Sequence, residues 1–320
     1  MTDVQRDGTG RGRLASLPVA PARPAPDGLD GRGEGDVPPD GREPAEVDEE
    51  PKPLGQEAPE IVEDAAKIGG KRLDRSLAGD VMTAVIGGMS ICFGIIAMAY
   101  ASASFGGADG PSGAHIAAAL AYPVGFVILL LGKSELFTEN FLLPVTGVLE
   151  RRGTLRQLGA LWGVTLVFNL VGAAVFAFLV SRPGVLDDGA RAVLTATAAH
   201  VVDYPFWTAF VKALFAGWLM TILTWLLLAA EGMGPRLVLI WLIGTLIILG
   251  EFTHVIISGA EVFLADFLGD EVATTAWLGG NFWPILAGNV IGGVIFVTLL
   301  QYVQVQYGGG NGPESASNRG

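Results

Sequence analysis

Two apolar stretches contain ionisable residues where a membrane helix would tolerate them least. "GKSELFTEN" runs from Gly132 to Asn140, and "LGEFTHVIISGAE" runs from Leu249 to Glu261. A charged side chain at the centre of a membrane helix costs roughly 2.5–3.5 kcal/mol on insertion scales, and such residues usually mark ion or proton pathways. An imidazole changes its charge near neutral pH. The residue types therefore predict binding and proton exchange of a small solute, with His254 as the central candidate.

The composition indicates a membrane protein. Hydrophobic residues make up 51% of the chain and charged residues only 16%, which is too apolar for a domain whose surface faces water. A single cysteine, Cys92, excludes an intrachain disulfide, and three histidines do not favour a metal site. No basic patch predicts nucleic-acid binding. The sequence contains neither HExxH nor paired mid-span aspartates, so we expect no metal, no cofactor and no enzymatic activity.

The chain divides into three parts by composition. Residues 1–79 contain 17 acidic and 11 basic residues and are rich in Gly, Pro and Asp, which predicts a disordered acidic tail. A short lead-in helix is expected near 65–79. Residues 80–305 form the predicted transmembrane transporter domain, and residues 306–320 form a second predicted disordered end.

Two of the apolar runs are too long for one membrane crossing. The runs cover residues 80–102, 114–149, 157–180, 206–230, 237–268 and 281–305. A helix crosses a hydrocarbon core of about 30 Å with about 20 residues, whereas the second and fifth runs would reach roughly 54 and 48 Å. Irregular backbone inside a membrane is tolerated only where protein encloses it or water reaches it. The sequence therefore predicts six spans, with spans two and five broken by mid-membrane loops beside a wet cavity.

Basic residues in short loops predict the orientation. The loops on the N-terminal side of the predicted bundle contain Lys71, Arg72, Arg75, Arg151, Arg152, Arg156 and Arg236. The other side has only Arg182 and Arg191. Seven basic residues on one side against two on the other favour a multi-pass protein with both termini in the cytoplasm.

The two interruptions resemble each other, which indicates an internal repeat. Both contain Phe-Thr followed by an ionisable residue, at Phe137-Thr138 and Phe252-Thr253. They lie in the second span of successive three-span halves, and an odd number of spans makes the halves enter the membrane from opposite sides. The predicted fold is an all-α membrane protein with six transmembrane spans as an inverted 3+3 repeat, an arrangement common in transporters.

Three segments carry a resemblance to the formate/nitrite transporter family over roughly residues 75–305. They are "GKSELFTENFLLPVTG", "GEFTHVIISGAEVF" and "NFWPILAGNVIGGVIF", in that order on spans two, five and six. The resemblance implies an aquaporin-like fold, a homopentamer with one pore per subunit, and transport of small monovalent anions or their acids. It also implies a bacterial-type inner membrane as the location.

The resemblance assigns roles to particular residues of this chain. His254 would be the central pore histidine, with Thr138 facing it and Asn289 in the last-helix pattern. The predicted pore lining also includes Leu136, Phe137, Phe126 and Tyr122, of which the first two would form a hydrophobic constriction. The chain departs from the family pattern at Lys133, Ser134, Glu139, Thr253 and Ser258.

The chemistry follows from desolvation. A small anion loses its hydration in a dry constriction, and protonation removes most of that cost. Our hypothesis is that His254 binds the anion and gives or relays a proton, while Thr138 and Thr253 orient the ring or the substrate. Lys133 either concentrates anions or pairs with Glu135 or Glu139. The alternatives are a channel for a neutral solute such as water or glycerol, and a membrane scaffold without transport activity.

Overall fold

The computed structural model describes residues 55–107, 110–269 and 273–308. The predicted acidic tail lies outside the described residues as far as residue 54, and so does the predicted C-terminal end from residue 309. Within the described ranges the regular structure is entirely helical. The helices are α1 (Ala58–Leu73), α2 (Leu77–Ala103), α3 (Ser112–Ala121), α4 (Pro123–Leu131), α5 (Leu143–Leu149), α6 (Leu155–Val180), α7 (Asp188–Asp203), α8 (Phe206–Ala229), α9 (Met233–Leu249), α10 (Val255–Leu268), α11 (Ala273–Gly279), α12 (Phe282–Gly293) and α13 (Leu300–Gly308).

The lead-in helix α1 begins at Ala58, earlier than the sequence predicts. A capping box between Glu57 and Glu60, with a proline in the first turn, fixes its start. Its buried face includes Ile61 and Val62, which pack with residues of α5, α8 and the loop before α5. The helix therefore lies against one end of the bundle, which we call the α1 end.

The predicted six spans are confirmed. Five helices or continuous helix pairs are long and apolar enough to cross a membrane, and α9 is a shorter apolar helix. Spans one, three and four are α2, α6 and α8. Span six runs from α12 through a π-helical segment, Val294–Leu299, into α13. Span two consists of α3, α4 and α5, and span five consists of α9 and α10.

Spans two and five are broken, as predicted, and both breaks have the same backbone geometry. Lys133 follows α4 with φ +60° and Glu251 follows α9 with φ +50°, in the left-handed region that usually holds glycine. In span two the next amide, Ser134 N, donates to Leu129 O, and in span five Phe252 N donates to Ile247 O. Both bonds close the C-terminal end of a helix in a Schellman motif. A short 3₁₀ turn, Phe137–Phe141, then leads into α5.

A buried asparagine holds each loop after its break. The Asn169 side chain on α6 accepts from Phe137 N and donates to Glu135 O and Ala84 O, at 2.7–2.9 Å. The Asn289 side chain on α12 accepts from Val255 N and donates to Thr253 O and Ala213 O, at 2.8–3.0 Å. Because each asparagine bonds the residues on either side of one loop position, Leu136 and His254 occupy equivalent places in the two halves.

The helices that carry these asparagines lie very close to their neighbours. A methyl group on Gly88 of α2 would collide with the backbone carbonyl of Asn169, and one on Gly217 of α8 would collide with that of Asn289. Small residues at these crossings let the backbones approach, as is typical of membrane helix pairs. The repeat therefore extends to the helices that position the loops.

Two further helices, α7 and α11, lie at the opposite end of the bundle, which we call the α7 end. The α7 helix packs against α2, α10 and α11 through Val193, Leu194 and Val201 among others. It lies between spans three and four in the sequence and is not counted as a membrane span. This helix positions the wall of the candidate site described next.

Candidate functional site

The two broken spans meet at a hydrogen bond between side chains. Thr138 Oγ1 lies 2.7 Å from His254 Nε2, and both residues are buried. Thr138 belongs to the 3₁₀ turn after the break of span two, and His254 is the N-cap residue of α10 after the break of span five. The structure thus brings together the histidine and the threonine that sequence reasoning placed opposite each other.

Backbone contacts define which ring nitrogen of His254 carries the proton. Nδ1 accepts from the amides of Ile256 and Ile257, at 3.2 and 3.4 Å. A nitrogen that accepts a hydrogen bond has no proton of its own, so in the neutral ring the proton lies on Nε2. Nε2 therefore donates to Thr138 Oγ1, and this N–H faces the junction of the two loops.

A cavity of about 500 Å³ extends from His254 toward the α7 end. It is lined by residues of α2, α3, α7, α9, α10 and the loop after α9. On α10 the lining residues His254, Ser258 and Glu261 follow helical spacing and share one face. His115 and His200 also line the cavity.

The mouth of the cavity contains a charged pair. Lys212 Nζ donates to Glu251 Oε2 at 3.1 Å, and the Tyr204 hydroxyl donates to the same carboxylate oxygen at 3.3 Å. Burial, together with the charge of Glu251, raises the pKa of Tyr204, so its hydroxyl stays protonated as a donor. His200 Nε2 is 3.6 Å from the same oxygen. Sequence reasoning missed Lys212 because its partner lies 39 positions along the chain.

A second ionic group, which we call the α1 cluster, consists of Arg72, Arg75, Glu135, Glu139 and Asn140. Arg72 contacts Glu135 at 3.1 Å, Glu139 at 3.8 Å and the Asn140 side-chain oxygen at 2.9 Å. Arg75 donates to Glu135 at 2.6 Å. The glutamate side chains are only 8% and 5% exposed. Two arginines from the α1 region thus form ion pairs with the acidic residues of the span-two loop.

The two predicted constriction residues, Leu136 and Phe137, and the two other predicted pore-lining residues, Phe126 and Tyr122, are buried but lie outside the cavity lining. Leu136, Phe126 and Tyr122 are inaccessible to solvent, and Phe137 is 2% exposed. The Tyr122 and Phe126 rings contact edge to face at 5.5 Å, and Phe137 packs similarly on Phe141. Leu136, Phe137 and Phe126 form an apolar layer around the junction, outside the cavity lining.

The remaining predicted residues have different surroundings. Thr253 lines the cavity but donates its hydroxyl to Ala209 O at 3.2 Å, away from the His254 ring. Asn289 holds the loop and does not line the cavity. Lys133 is exposed and forms no ion pair with a described residue, because Arg72 and Arg75 occupy the glutamates beside it.

The fold and this site define a class of protein. Six spans, two of them broken, with loops that meet at a buried histidine below an open cavity, are the architecture of a membrane transport protein. The model of the family described as "Formate/nitrite transporter" matches residues 59–303. The chain belongs to the formate/nitrite transporter family.

Curated relatives from distant organisms are similar over most of their length. The inner membrane protein YfdC of Escherichia coli K12 is 27% identical over 268 residues, which cover 82% of each chain. A probable formate transporter of Methanothermobacter thermautotrophicus is 28% identical over 240 residues, 69% of this chain and 87% of that protein.

Two solved structures share the fold. One is described as an FNT family ion channel, with a TM-score of 0.69, 21% identity, and coverage of 77% of this chain and 98% of the other. Another is a pentameric formate channel with formate bound, with a TM-score of 0.62, 20% identity, and coverage of 72% and 98%.

Proposed function

We propose that this protein is a transmembrane pore for small monovalent anions of the formate and nitrite class, and that each anion crosses with a proton exchanged at His254. The observation that carries the proposal is the 2.7 Å contact between His254 Nε2 and Thr138 Oγ1, where the two loops meet at the inner end of the cavity. Membership in the formate/nitrite transporter family supports the choice of solute.

The cavity and the apolar layer divide the path into a wet part and a dry part. An anion enters from the α7 end and reaches His254, where the α10 N-terminus adds a favourable electrostatic potential. Beyond the junction it meets Leu136, Phe137 and Phe126, which offer no hydrogen bonds. Because an unpaired charge in such surroundings is costly, the solute crosses this layer as its neutral acid.

His254 is suited to hold the anion while the anion takes up a proton. Its other nitrogen, Nδ1, accepts two backbone amides, so the neutral ring keeps its proton on Nε2 and donates this N–H as a hydrogen bond. The proton that neutralises the anion comes from a hydronium ion in the wet cavity, which is left as water, while Thr138 orients the ring through its contact with Nε2. The ring therefore keeps the same tautomer during each passage.

We also propose the assembly and location that fit this role. The Lys and Arg residues concentrate in loops near α1, which favours both termini on the cytoplasmic side of a bacterial-type inner membrane. One of the solved structures with this fold is a pentamer, which supports a homopentamer with one pore in each subunit.

The test is uptake of labelled formate and nitrite by proteoliposomes at about pH 5.5 and about pH 8, on either side of the histidine range. Uptake by the natural sequence is expected to rise as the external pH falls, and His254→Asn is expected to abolish this proton-linked uptake. His115→Asn is the matched control, since this exposed histidine lines the same cavity.

The alternatives give different outcomes in the same vesicles. Water or glycerol flux that does not depend on pH, without anion uptake, would identify a neutral-solute channel. A protein that carries none of these solutes would be a scaffold. Unchanged formate uptake by His254→Asn would contradict the proposed role of the histidine.

A further inference from the structure

An unpaired carboxylic acid lies deep in the cavity, on the helix that begins at His254. Glu261 of α10 lines the cavity and is only 5% exposed. It lies seven residues after His254, which places it about 10 Å farther along the helix axis toward the α7 end. Ser258 lies between them on the same face and also lines the cavity. A solute that enters from the α7 end therefore passes Glu261 before it reaches the histidine.

No cation among the described residues neutralises this carboxyl group. Glu261 forms neither an ion pair nor a hydrogen bond there, and the described part of the cavity lining contains no lysine or arginine. Lys212, at the mouth, is paired with Glu251. This is the opposite of the α1 cluster, where arginines contact both buried glutamates.

Helices α2, α6, α7, α11 and α12 pack against α10, and the only charged residue of α6 is Arg156, which is exposed in its first turn. Helix α2 contributes the buried Cys92, and α7 contributes His200 to the cavity lining. Tyr122, at the turn between α3 and α4, is close enough to sense the charge of Glu261, and its hydroxyl has no hydrogen-bond partner among the described residues. Tyr204 follows α7. The other titratable lining residues are His115, Glu251 and His254, whereas α11 and α12 have none.

An ionised Glu261 would repel the anion that the proposed function brings into the cavity. A protonated carboxyl group is neutral and offers one O–H donor together with an acceptor oxygen. Burial without a cation favours this protonated form. The cavity can then hold an anion in front of His254 without opposing negative charge.

We propose that Glu261 is a second binding residue for the permeating anion: in its protonated form it donates a hydrogen bond to an anion oxygen, and in its ionised form it excludes the anion. This inference rests on the proposed function and deepens it, since the ligand is a small carboxylate or oxyanion with an exposed oxygen acceptor. Entry from the α7 end then requires a protonated Glu261 as well as His254.

The test compares Glu261→Gln with the natural sequence in formate uptake at about pH 5.5 and about pH 8. Glutamine keeps the size and a hydrogen-bond donor but is never charged. Because the ionised fraction of the natural Glu261 grows with pH, we expect Glu261→Gln to exceed the natural sequence by more than about twofold at the higher pH. The two should agree within about twofold at the lower pH. Glu261→Asp, which still titrates, should retain the loss of uptake at high pH.

Control measurements keep the outcomes distinct. Glu231→Gln removes an exposed acid from the loop between α8 and α9 and should follow the natural pH profile. Elution of each purified variant as the same oligomer as the natural sequence shows that it is folded. If Glu261→Gln fails this control, the proposal is tested by Glu261→Asp, which should still lose uptake at high pH, and Glu261→Asp uptake that does not depend on pH would contradict the proposal.

Two results would overturn the inference. The first is a Glu261→Gln protein whose uptake falls with pH as in the natural sequence. The second is uptake of methylammonium by the natural sequence that Glu261→Gln abolishes, because the cavity would then bind cations. If the natural sequence carries neither formate nor nitrite at either pH, the proposed function itself fails, and that result is independent of Glu261.

Discussion

The two broken spans have the same backbone plan and different chemistry. Each ends its first helix in a Schellman motif, and each holds the next loop with a buried asparagine. At the position between the clamped groups, one half has Leu136 and the other has His254. The comparison teaches that the repeat builds a symmetric scaffold, and that a histidine occupies this position in only one half.

The surroundings of the two loops also differ. The span-two loop has its acidic residues paired with arginines from α1, whereas the span-five loop opens into the cavity of about 500 Å³. One loop is therefore fixed by buried ion pairs, and the other is accessible to a solute. Four predictions test this contrast.

The largest effect is expected from Arg72→Met in the α1 cluster. Removing one partner from a buried ionic network leaves an uncompensated charge, which typically costs about 3–5 kcal/mol of stability. Glu139 would lose its only cation contact among the described residues. Thermal unfolding of the detergent-solubilised pore measures the loss. A variant as stable as the natural sequence would show that the cluster does not hold the loop.

The asparagine clamps should contribute equally to the two halves. Asn169→Leu orphans the Phe137 amide and the Glu135 carbonyl, and Asn289→Leu orphans the Val255 amide and the Thr253 carbonyl. Each orphaned buried group costs about 1–3 kcal/mol. We expect similar losses of stability from both substitutions. A large loss from one and none from the other would break the proposed equivalence of the halves.

Thr138→Val tests the contact between the loops. The substitution keeps the shape of the side chain and removes a hydrogen bond with a typical net value of about 0.5–1.5 kcal/mol. We expect formate uptake to fall by roughly tenfold or less, with little change in unfolding temperature. Thr253→Val is the matched control, because that hydroxyl bonds to Ala209 O and does not contact the ring. Equal losses from both would mean that Thr138 acts only through packing.

The smallest effect on stability is expected from Lys212→Met at the cavity mouth. The Lys212 and Glu251 side chains are 22% and 49% exposed, and partly exposed ion pairs contribute about 0–1 kcal/mol. The unfolding temperature should therefore change much less than with Arg72→Met. A loss as large as that of the α1 cluster would contradict the contrast between a fixed loop and an open one.

The sequence predicted the spans and the breaks because the length of an apolar run and the charged residues inside it allow few arrangements in a membrane. An apolar run of 36 residues that contains Lys133 and Glu135 cannot cross a membrane as one straight helix. The same reasoning led to His254, which lies at the second break. Its partner Thr138 came from the family resemblance.

The register of the repeat was not readable from the sequence. The shared Phe-Thr pairs suggested that Phe137 matches Phe252, whereas the asparagine clamps make Leu136 equivalent to His254. The equivalence of the two positions depends on which backbone groups of each loop bond to the asparagine. The side chains of the loop residues do not reveal those bonds. The α1 cluster was missed for a related reason. Arg72 and Glu135 are 63 positions apart, and no periodicity connects a surface helix with a buried loop.

The central claim is that a proton accompanies each anion past the junction of the two loops. Proteoliposomes that contain a pH-sensitive dye and are exposed to an inward formate gradient test it most directly. The account predicts internal acidification in step with formate entry, without a change in membrane potential, and loss of both signals in His254→Asn. Formate entry that builds up a negative internal potential with no acidification would contradict it.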